Sequence, residues 1–344
     1  MATFVVFLLS FALALVLTPF SGWLGWQLGL VDRPEPRRVH RGVVPRLGGL
    51  ALYLAFMGGV SMVLLLPSWF PQSTDPKESI RLTGLLIGSS FAFSFGLADD
   101  RFEFGAFPQF AAQFLASLVA IASLIIIERV NNPLTDRQVI FRWYVYAPLT
   151  IFWMMGMMNT VNWLDGLDGL AAGVGAITCA VLVYHMWRTG QHSVMLLPLA
   201  LLGALIGFLP WNFHPARVFM GSTGSYTLGY ALGALGIMAG ARMATMLLLL
   251  GLPILDVAWL IWHRWRRGRA PHRAQLDHLH FRLLGLGFSQ RQIVVGYWLF
   301  SALFGALALW LPARIYKLYA LVLLGLIALG ILWWVERHTA VSEE

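Results

Sequence analysis

The strongest constraint on this chain is a succession of apolar stretches, each about long enough to cross a lipid bilayer. A hydrocarbon core of about 30 Å needs about 20 apolar residues per helix. Stretches of that order recur at 3–22, 47–67, 82–98, 107–127, 145–161, 167–186, 193–209, 225–240, 243–261, 292–310 and 317–335. Backbone polar groups in lipid must be satisfied internally, so about eleven such stretches predict an all-α, polytopic transmembrane helical bundle. Composition agrees: 58% of the residues are hydrophobic and 12% charged. Soluble domains carry about 25% charged residues, so this chain has too little polar surface to cover a water-soluble globule of its size. The first stretch runs from Phe4 to Leu17 without a charge. It lacks a basic region before it and a small-residue cleavage site after it, and reads as a retained span rather than a removed signal peptide. The single Cys179 lies in an apolar run, which leaves neither a disulfide framework nor a thiolate metal site.

An odd number of spans places the termini on opposite sides, and the basic residues orient them. The loops at 23–46, 99–106, 159–166, 210–224 and 262–291 share one side with the C-terminal tail. Together they hold 15 of the 24 Lys and Arg, among them Arg33, Arg37, Arg38, Arg41, Arg46, Arg264, Arg266, Arg267, Arg269 and Arg273. The positive-inside rule makes that side cytoplasmic, with the N-terminus out and the C-terminus in. The expectation is one integral-membrane domain over 1–344, with its functional loops on the cytoplasmic face of a bacterial inner membrane. The net charge of +8 sits mostly in short loops between spans. It therefore points to anionic headgroups and phosphorylated substrates rather than nucleic acid.

The 16 acidic residues are few enough for their positions to be informative. Asp99, Asp100 and Glu103 open the second cytoplasmic loop, Asp165 and Asp168 lie in the third, and Asp277 in the fifth. Asp256 falls inside the ninth span, where a carboxylate is costly and marks a functional position by default. Two adjacent carboxylates at Asp99-Asp100 repel unless they share a cation or a proton. Oxygen ligands of this kind suit Mg²⁺, which takes one or two carboxylates plus substrate phosphate; a solvated helix end is the plainer reading. Asn162, Asp165 and Asp168 are spaced i, i+3, i+6 in Asn159-Thr-Val-Asn-Trp-Leu-Asp-Gly-Leu-Asp-Gly169. They share a face if helical, whereas the two interrupting glycines allow the backbone to turn toward a ligand instead. The later Glu that a calcium loop of the EF-hand kind requires is absent.

Two further segments carry weaker signals. In the fourth loop, Gly221, Gly224 and the intervening hydroxyls suit a phosphate cradle or a plain turn, and Phe219 suits base stacking or ordinary packing. In the last loop, His278-Leu-His280 has no third ligand at a convincing spacing for zinc, and imidazoles meeting a diphosphate are the better reading.

Taken together, these segments resemble the polyprenyl-phosphate N-acetylhexosamine-1-phosphate transferases. The nearer likeness is to the undecaprenyl-phosphate N-acetylglucosamine-1-phosphate transferases (the WecA/TagO type), with the peptidoglycan translocase MraY more distant. The resemblance covers almost the whole chain. It runs through Asp32-Arg-Pro, His40, Pro45 to Gly49, Asp99-Asp100, Gln113, Asn159 to Gly173, Asn212, Pro215-Ala216, Phe219-Met-Gly221, Pro253-Ile-Leu-Asp256 and His278-Leu-His280.

The resemblance implies a cytoplasmic reaction in which a lipid phosphate attacks the β-phosphorus of a UDP-amino sugar. The products are a lipid-diphosphate-sugar and UMP, the cofactor is Mg²⁺ (or Mn²⁺), and the step starts a cell-envelope polysaccharide such as lipopolysaccharide or teichoic acid. Asp99, Asp100, Asp165, Asp168, His278 and His280 are then the expected catalytic residues, with Asp99, Asp100 and Asp168 toward the metal. Asn162, Asn212, Phe219, Arg41, Arg46 and Asp256 are expected to bind substrate, and a homodimer is expected from the family. Asp99 is left as either base or covalent nucleophile.

The chain departs from the family pattern in several places. Ser222 stands where an Asp, a metal ligand in the family, is expected, and a neutral hydroxyl binds Mg²⁺ far more weakly than a carboxylate. Gln109 replaces a common Lys, Gln275-Leu276 an acidic-basic pair, and Phe281 a third His. The alternative to an active transferase is therefore a weak or inactivated member that still binds UDP-sugar or lipid phosphate. A transporter is a third class, but no paired halves with broken midplane helices are visible in the sequence.

Overall fold

The computed structural model describes residues 2–33, 42–73, 75–240, 243–266, 278–311 and 313–340. Within them the chain forms α1 (Ala2–Gln27), β1 (Val31–Asp32), β2 (Val44–Pro45), α2 (Gly48–Leu65), α3 (Glu78–Phe102) and α4 (Ala106–Ala122). A short hairpin of β3 (Arg129–Asn131) and β4 (Gln138–Ile140) leads into α5 (Trp143–Leu164), α6 (Leu170–Arg188), α7 (Leu196–Asn212) and α8 (Gly221–Met238). The chain closes with α9 (Met243–Leu249), α10 (Gly251–Arg266), α11 (Leu279–Gly285), α12 (Gln290–Trp310) and α13 (Arg314–Ala340). Both two-stranded ribbons are antiparallel.

The chain is an all-helical, multi-pass membrane protein. Each of the eleven apolar stretches contains helix, and α1, α2, α3, α6, α12 and α13 are individually long and apolar enough to cross a membrane. Helices α9 and α10 meet that test only as a pair bent by 80°. Helices α4 and α7 are apolar but shorter, and α8 dilutes its apolar residues with Gly, Ser, Thr and Tyr.

That dilution has a structural use. Helix α8 is the centre of the bundle, buried from Thr223 to Met238, and it packs against α2, α3, α5 and α6. Small residues let helix backbones approach closely where apolar surface alone gives no drive to associate in lipid. A Cβ on Gly49 of α2 would lie 2.1 Å from the Gly224 nitrogen, and one on Gly96 of α3 would lie 2.5 Å from the Ser222 carbonyl. The N-terminal end of α8 is thereby wedged between α2 and α3. Pairing of Gly48 N–H with Phe219 O and of Gly49 N–H with Met220 O, each at 2.9 Å, fixes it there.

Several motifs expected in loops lie in the last or first turns of helices instead. Asp99 and Asp100 belong to α3, which continues to Phe102 before Glu103 turns left-handed at φ 50°. Asn162 belongs to α5, and Ser222 to Gly224 to α8. These polar groups find partners on neighbouring helices, so no solvated loop is needed to satisfy them. The i, i+3, i+6 series is also divided. Asp165 caps α5, Asp168 follows in the turn, and Gly169 takes φ 81° before α6 begins.

The close approach of α2 and α8 makes a stability prediction. Overpacking costs about 1–3 kcal/mol where neighbours can yield, and here the neighbour is backbone. Gly49→Ala is therefore expected to lower the melting temperature of the detergent-purified protein by several degrees. Gly156→Ala, which meets open space on α5, should leave it within about a degree in the same thermal scan.

Candidate active site

The motifs of the junctions α1–α2, α3–α4, α5–α6 and α7–α8, with the start of α12, converge on a cavity of about 310 Å³. Asp32, Arg46, Asp100, Asn162, Asp165, Asp168, Asn212, Phe219, Ser222, Phe281 and Gln290 line it.

Asp100 anchors one wall. Its Oδ1 accepts from the Ser222 N–H at 2.9 Å, and its Oδ2 accepts from the Thr223 N–H at 2.9 Å and from the Thr223 hydroxyl. The first N–H groups of a helix have no partner within it, and a carboxylate is favourable at that positive end. Asp100 thus caps α8 from another helix. Arg46 donates to the Asp100 carbonyl and, at 2.8 Å, to Glu103 Oε1, which holds its guanidinium at the cavity edge. Gly221 takes φ 71°, and a Cβ there would lie 2.5 Å from the Arg46 carbonyl and 2.8 Å from Asp100 Oδ2, so both conformation and space demand glycine.

Asp99 points elsewhere. Adjacent residues on an α-helix project about 100° apart, since a turn takes about 3.6 residues. Asp99 Oδ1 accepts from the Phe104 N–H and from Gln109 Nε2, each at 3.1 Å. The carboxylate pair is divided between two sites, and Asp99 is not among the residues lining the cavity.

The opposite wall is built from the α5–α6 and α7–α8 turns. Asn212 accepts from the Gly169 N–H and donates to the Val218 carbonyl, each at 3.1 Å, tying the two turns together. Asp168 Oδ2 pairs with His214 Nδ1 at 2.8 Å and accepts from the Ala216 N–H at 3.0 Å. Asn162 accepts from the Ser225 hydroxyl at 2.8 Å. Gln113 and Asn159, also marked by the sequence, exchange amide hydrogen bonds with each other beneath the site.

Asp165 lies between the walls and accepts a hydrogen bond from the Gly221 N–H. Burial, then the charges of Asp100 and Asp168, push its carboxyl well above the usual carboxylate range. Such crowding of negative charge is what a bound cation relieves. Among the described residues no three His, Cys, Asp or Glu side chains form a self-contained metal site. Mg²⁺ needs only one or two carboxylates when substrate phosphate completes its shell. Asp165 and Asp168 fit that role: Asp100 already accepts three hydrogen bonds from the start of α8, whereas among the described residues none engages Asp168 Oδ1.

The histidine pair forms a neighbouring cluster rather than part of the cavity lining. His278 Nδ1 meets Asp256 Oδ2 at 2.9 Å, and the Leu279 N–H donates to Asp256 Oδ1 at 3.0 Å. His278 is extended and precedes α11, so the rings of His278 and His280 stack nearly parallel at 5.6 Å. Burial, and then the neighbouring His278, push His280 down to about 3, so it is a neutral imidazole. A Cβ on Gly166, beside Asp165, would lie 2.5 Å from its Nε2. Arg41, His40, Arg267, Arg269, Arg273, Gln275, Leu276 and Asp277 lie outside the described residues.

The family model for glycosyl transferase family 4 matches residues 82–240. The chain is 30% identical to a probable undecaprenyl-phosphate N-acetylglucosaminyl 1-phosphate transferase of Bacillus subtilis, across 89% of this chain and 84% of that protein. It is 34% identical to the decaprenyl-phosphate N-acetylglucosaminephosphotransferase of Mycolicibacterium smegmatis, across 85% and 79%. The chain belongs to the polyprenyl-phosphate N-acetylhexosamine-1-phosphate transferase family. A phospho-N-acetylmuramoyl-pentapeptide-transferase of Halalkalibacterium halodurans is 36% identical over a shorter region, 54% of this chain and 57% of that one. The distant arm of the family is thus also represented.

Against this transferase fold, sequence reasoning marked neither His214, which holds Asp168, nor Gln290. The Thr223 hydroxyl, read as part of a phosphate cradle, instead binds Asp100, a carboxylate more than a hundred residues away. A second cavity, of about 760 Å³, lies at the other end of the bundle and includes Asp75, Glu78 and Arg81. Its charges largely pair among themselves, as Arg81 does with Asp75 at 2.9 Å.

The raised Asp165 has a signed consequence. A folded-state value above the ordinary 3.8 favours the protonated form, so ionising Asp165 destabilises the fold as pH rises. Asp165→Asn should therefore raise the melting temperature of metal-free protein in EDTA. The gain should be absent near pH 4 and grow as the pH climbs to 8, as read from thermal scans across that range.

Proposed function

We propose that this transferase moves GlcNAc-1-phosphate from UDP-GlcNAc to undecaprenyl phosphate on the cytoplasmic face of a bacterial inner membrane, starting a cell-envelope polysaccharide. An oxygen of the lipid phosphate attacks the β-phosphorus of the donor. The bond from that phosphorus to the bridging oxygen breaks, and UMP leaves with the electron pair. The observation that carries this reading is the meeting of Arg46, Asp165 and Asp168 with Asn162, Asn212 and Phe219 in one cavity. Cationic and cation-binding groups for a diphosphate stand there beside groups suited to a nucleoside.

The division of Asp99 from Asp100 supports a reading in which the two substrates lie on two sides of α3. Asp100 organises the donor side through α8. Asp99 lies by Gln109 and Phe104, close to the exposed rings of Phe102, Phe107 and Phe110, an approach suited to a prenyl chain. There its second carboxylate oxygen takes the remaining proton of the acceptor phosphate, whose second ionisation falls near pH 6. This role is that of a base, with direct attack and no covalent enzyme intermediate. Arg46 meets the diphosphate, Phe219 offers a face to uracil, and Asn162 and Asn212 hold the turns that position the two acids. Asp165 and Asp168 would hold Mg²⁺, which when bound would supply neutralisation of charge on the diphosphate. His278 and Asp256 support the α5–α6 turn from behind through His280.

A second reading, a weak or inactive member, has one observation in its favour. Ser222 places a neutral hydroxyl on the cavity wall where a carboxylate is expected, and its N–H already serves Asp100. The presence of Asp165 and Asp168 favours the active reading.

Incubating the purified protein with undecaprenyl phosphate, Mg²⁺ and a panel of UDP-sugars should release UMP, fastest with UDP-GlcNAc and not at all in EDTA. Asp168→Asn should lower turnover by about a hundredfold, the loss typical when one charge-stabilising group is removed. Ser222→Asp should change the rate by less than about threefold, on the order of 0.6 kcal/mol. A gain of two orders of magnitude from that substitution would instead establish the weak-enzyme reading, and no UMP release from either protein would exclude the active one.

A further inference from the structure

Most polar side chains of the cavity wall are engaged by neighbouring protein groups. Gln290 is 8% exposed and lines the cavity, yet among the described residues its carboxamide has no hydrogen-bond partner. Its amide atoms are not among those enclosed by protein; they open into the cavity, where a ligand can take up their hydrogen bonds. Its place is also rigidly set. Ser289 and Gln292 close a capping box around it at the start of α12. The next residue, Arg291, donates through Nε to the His214 carbonyl at 3.2 Å, and His214 in turn holds Asp168. The start of α12 that carries Gln290 is therefore fixed relative to the acid that marks the donor side.

A neutral amide is a poor match for phosphate, which the charge of Arg46 attracts far more strongly. It suits a neutral planar group presenting one donor and one acceptor side by side. On a uridine nucleotide the imide edge of uracil has that arrangement, with N3–H beside a carbonyl. The N–H and C=O of an acetamido group point in opposite directions and engage only one arm. Two aromatic rings, Phe219 and Phe281, line the same cavity and offer faces to a base.

We propose that Gln290 is a specificity-determining residue that reads the imide edge of the donor's uracil. The assignment rests on the donor being a uridine nucleotide, as proposed above, and it adds a residue from α12 to the recognition of the base.

The test measures UMP binding to the full-length purified protein by calorimetry, for the wild type, Gln290→Ala and the near-isosteric Gln290→Met. The ligands are UMP and its N3-methyl derivative, which lacks the imide donor. The wild type should prefer UMP by about tenfold, the worth of one to two neutral hydrogen bonds. Both variants should bind the two ligands alike, at the level of wild type with the methylated one. A purely structural role for Gln290 would weaken both ligands together and keep the preference, which would overturn the assignment. So would a wild type that shows no preference, or variants with unchanged UMP affinity but a raised KM for UDP-GlcNAc, which would move Gln290 to the sugar. A wild type that binds no UMP at all would overturn the donor reading, and this assignment with it. Binding that is equal across the three proteins would overturn this assignment alone.

Discussion

The carboxylate of Asp100 capping α8 is the interaction on which the site depends. Helix α8 is buried along nearly its whole length, and its first N–H groups point into the protein interior without water to satisfy them. A side chain from α3 meets them instead, and this one contact fixes three things together. It sets how far α3 and α8 slide past each other, places Gly221 against Arg46, and brings Ser222 to the cavity wall. The glycines at 49, 96 and 221 belong to the same contact, since each removes a side chain that would push α2, α3 or the α8 entry apart. The trade commits Asp100 to α8, while Asp165 and Asp168, held by the turn after α5, face it across the cavity.

That trade gives adjacent carboxylates separate work. On a helix two neighbouring residues cannot serve one ion well, and here they face different neighbours, Asp100 toward α8 and Asp99 toward the α3–α4 turn. A reaction between a water-soluble nucleotide and a membrane-bound phosphate needs such a division, because its substrates arrive from different phases. The aromatic side chains exposed beside Asp99 and the polar lining beside Asp100 make the same distinction in surface chemistry.

Much of this was legible in the sequence, and what was not has identifiable causes. Apolar stretches located the helices because the bilayer imposes a length on each. The segment from Asn159 to Gly169 marked its turn because acids and glycines have no other reason to interrupt an apolar run. Helix ends were misplaced by a few residues at Asp99-Asp100 and at Ser222. Polar side chains near a span end look like loop until the partner that satisfies them is known, and here the partners lie on other helices. The same reason hides His214 and gave Thr223 the wrong role, since both act through contacts with no local signature. Gln290 was invisible for a further reason: it lies between Ser289 and Gln292 of an ordinary capping box, where one more polar residue looks like solvent-facing filler. The stacked His278 and His280 show the reverse. Their motif was plain, but their Asp256 partner turns them into support behind the turn rather than lining of the cavity.

Transfer of a sugar together with its phosphate differs from ordinary glycosyl transfer in the bond that breaks, and an isotope distinguishes them directly. UDP-GlcNAc carrying ³²P in the β-phosphate can be incubated with the protein, undecaprenyl phosphate and Mg²⁺, and the lipid extracted. Attack at the β-phosphorus predicts label in the lipid-linked product and unlabelled UMP in the aqueous phase. Label that remains in the water layer as UDP, with sugar passing to the lipid, would contradict it.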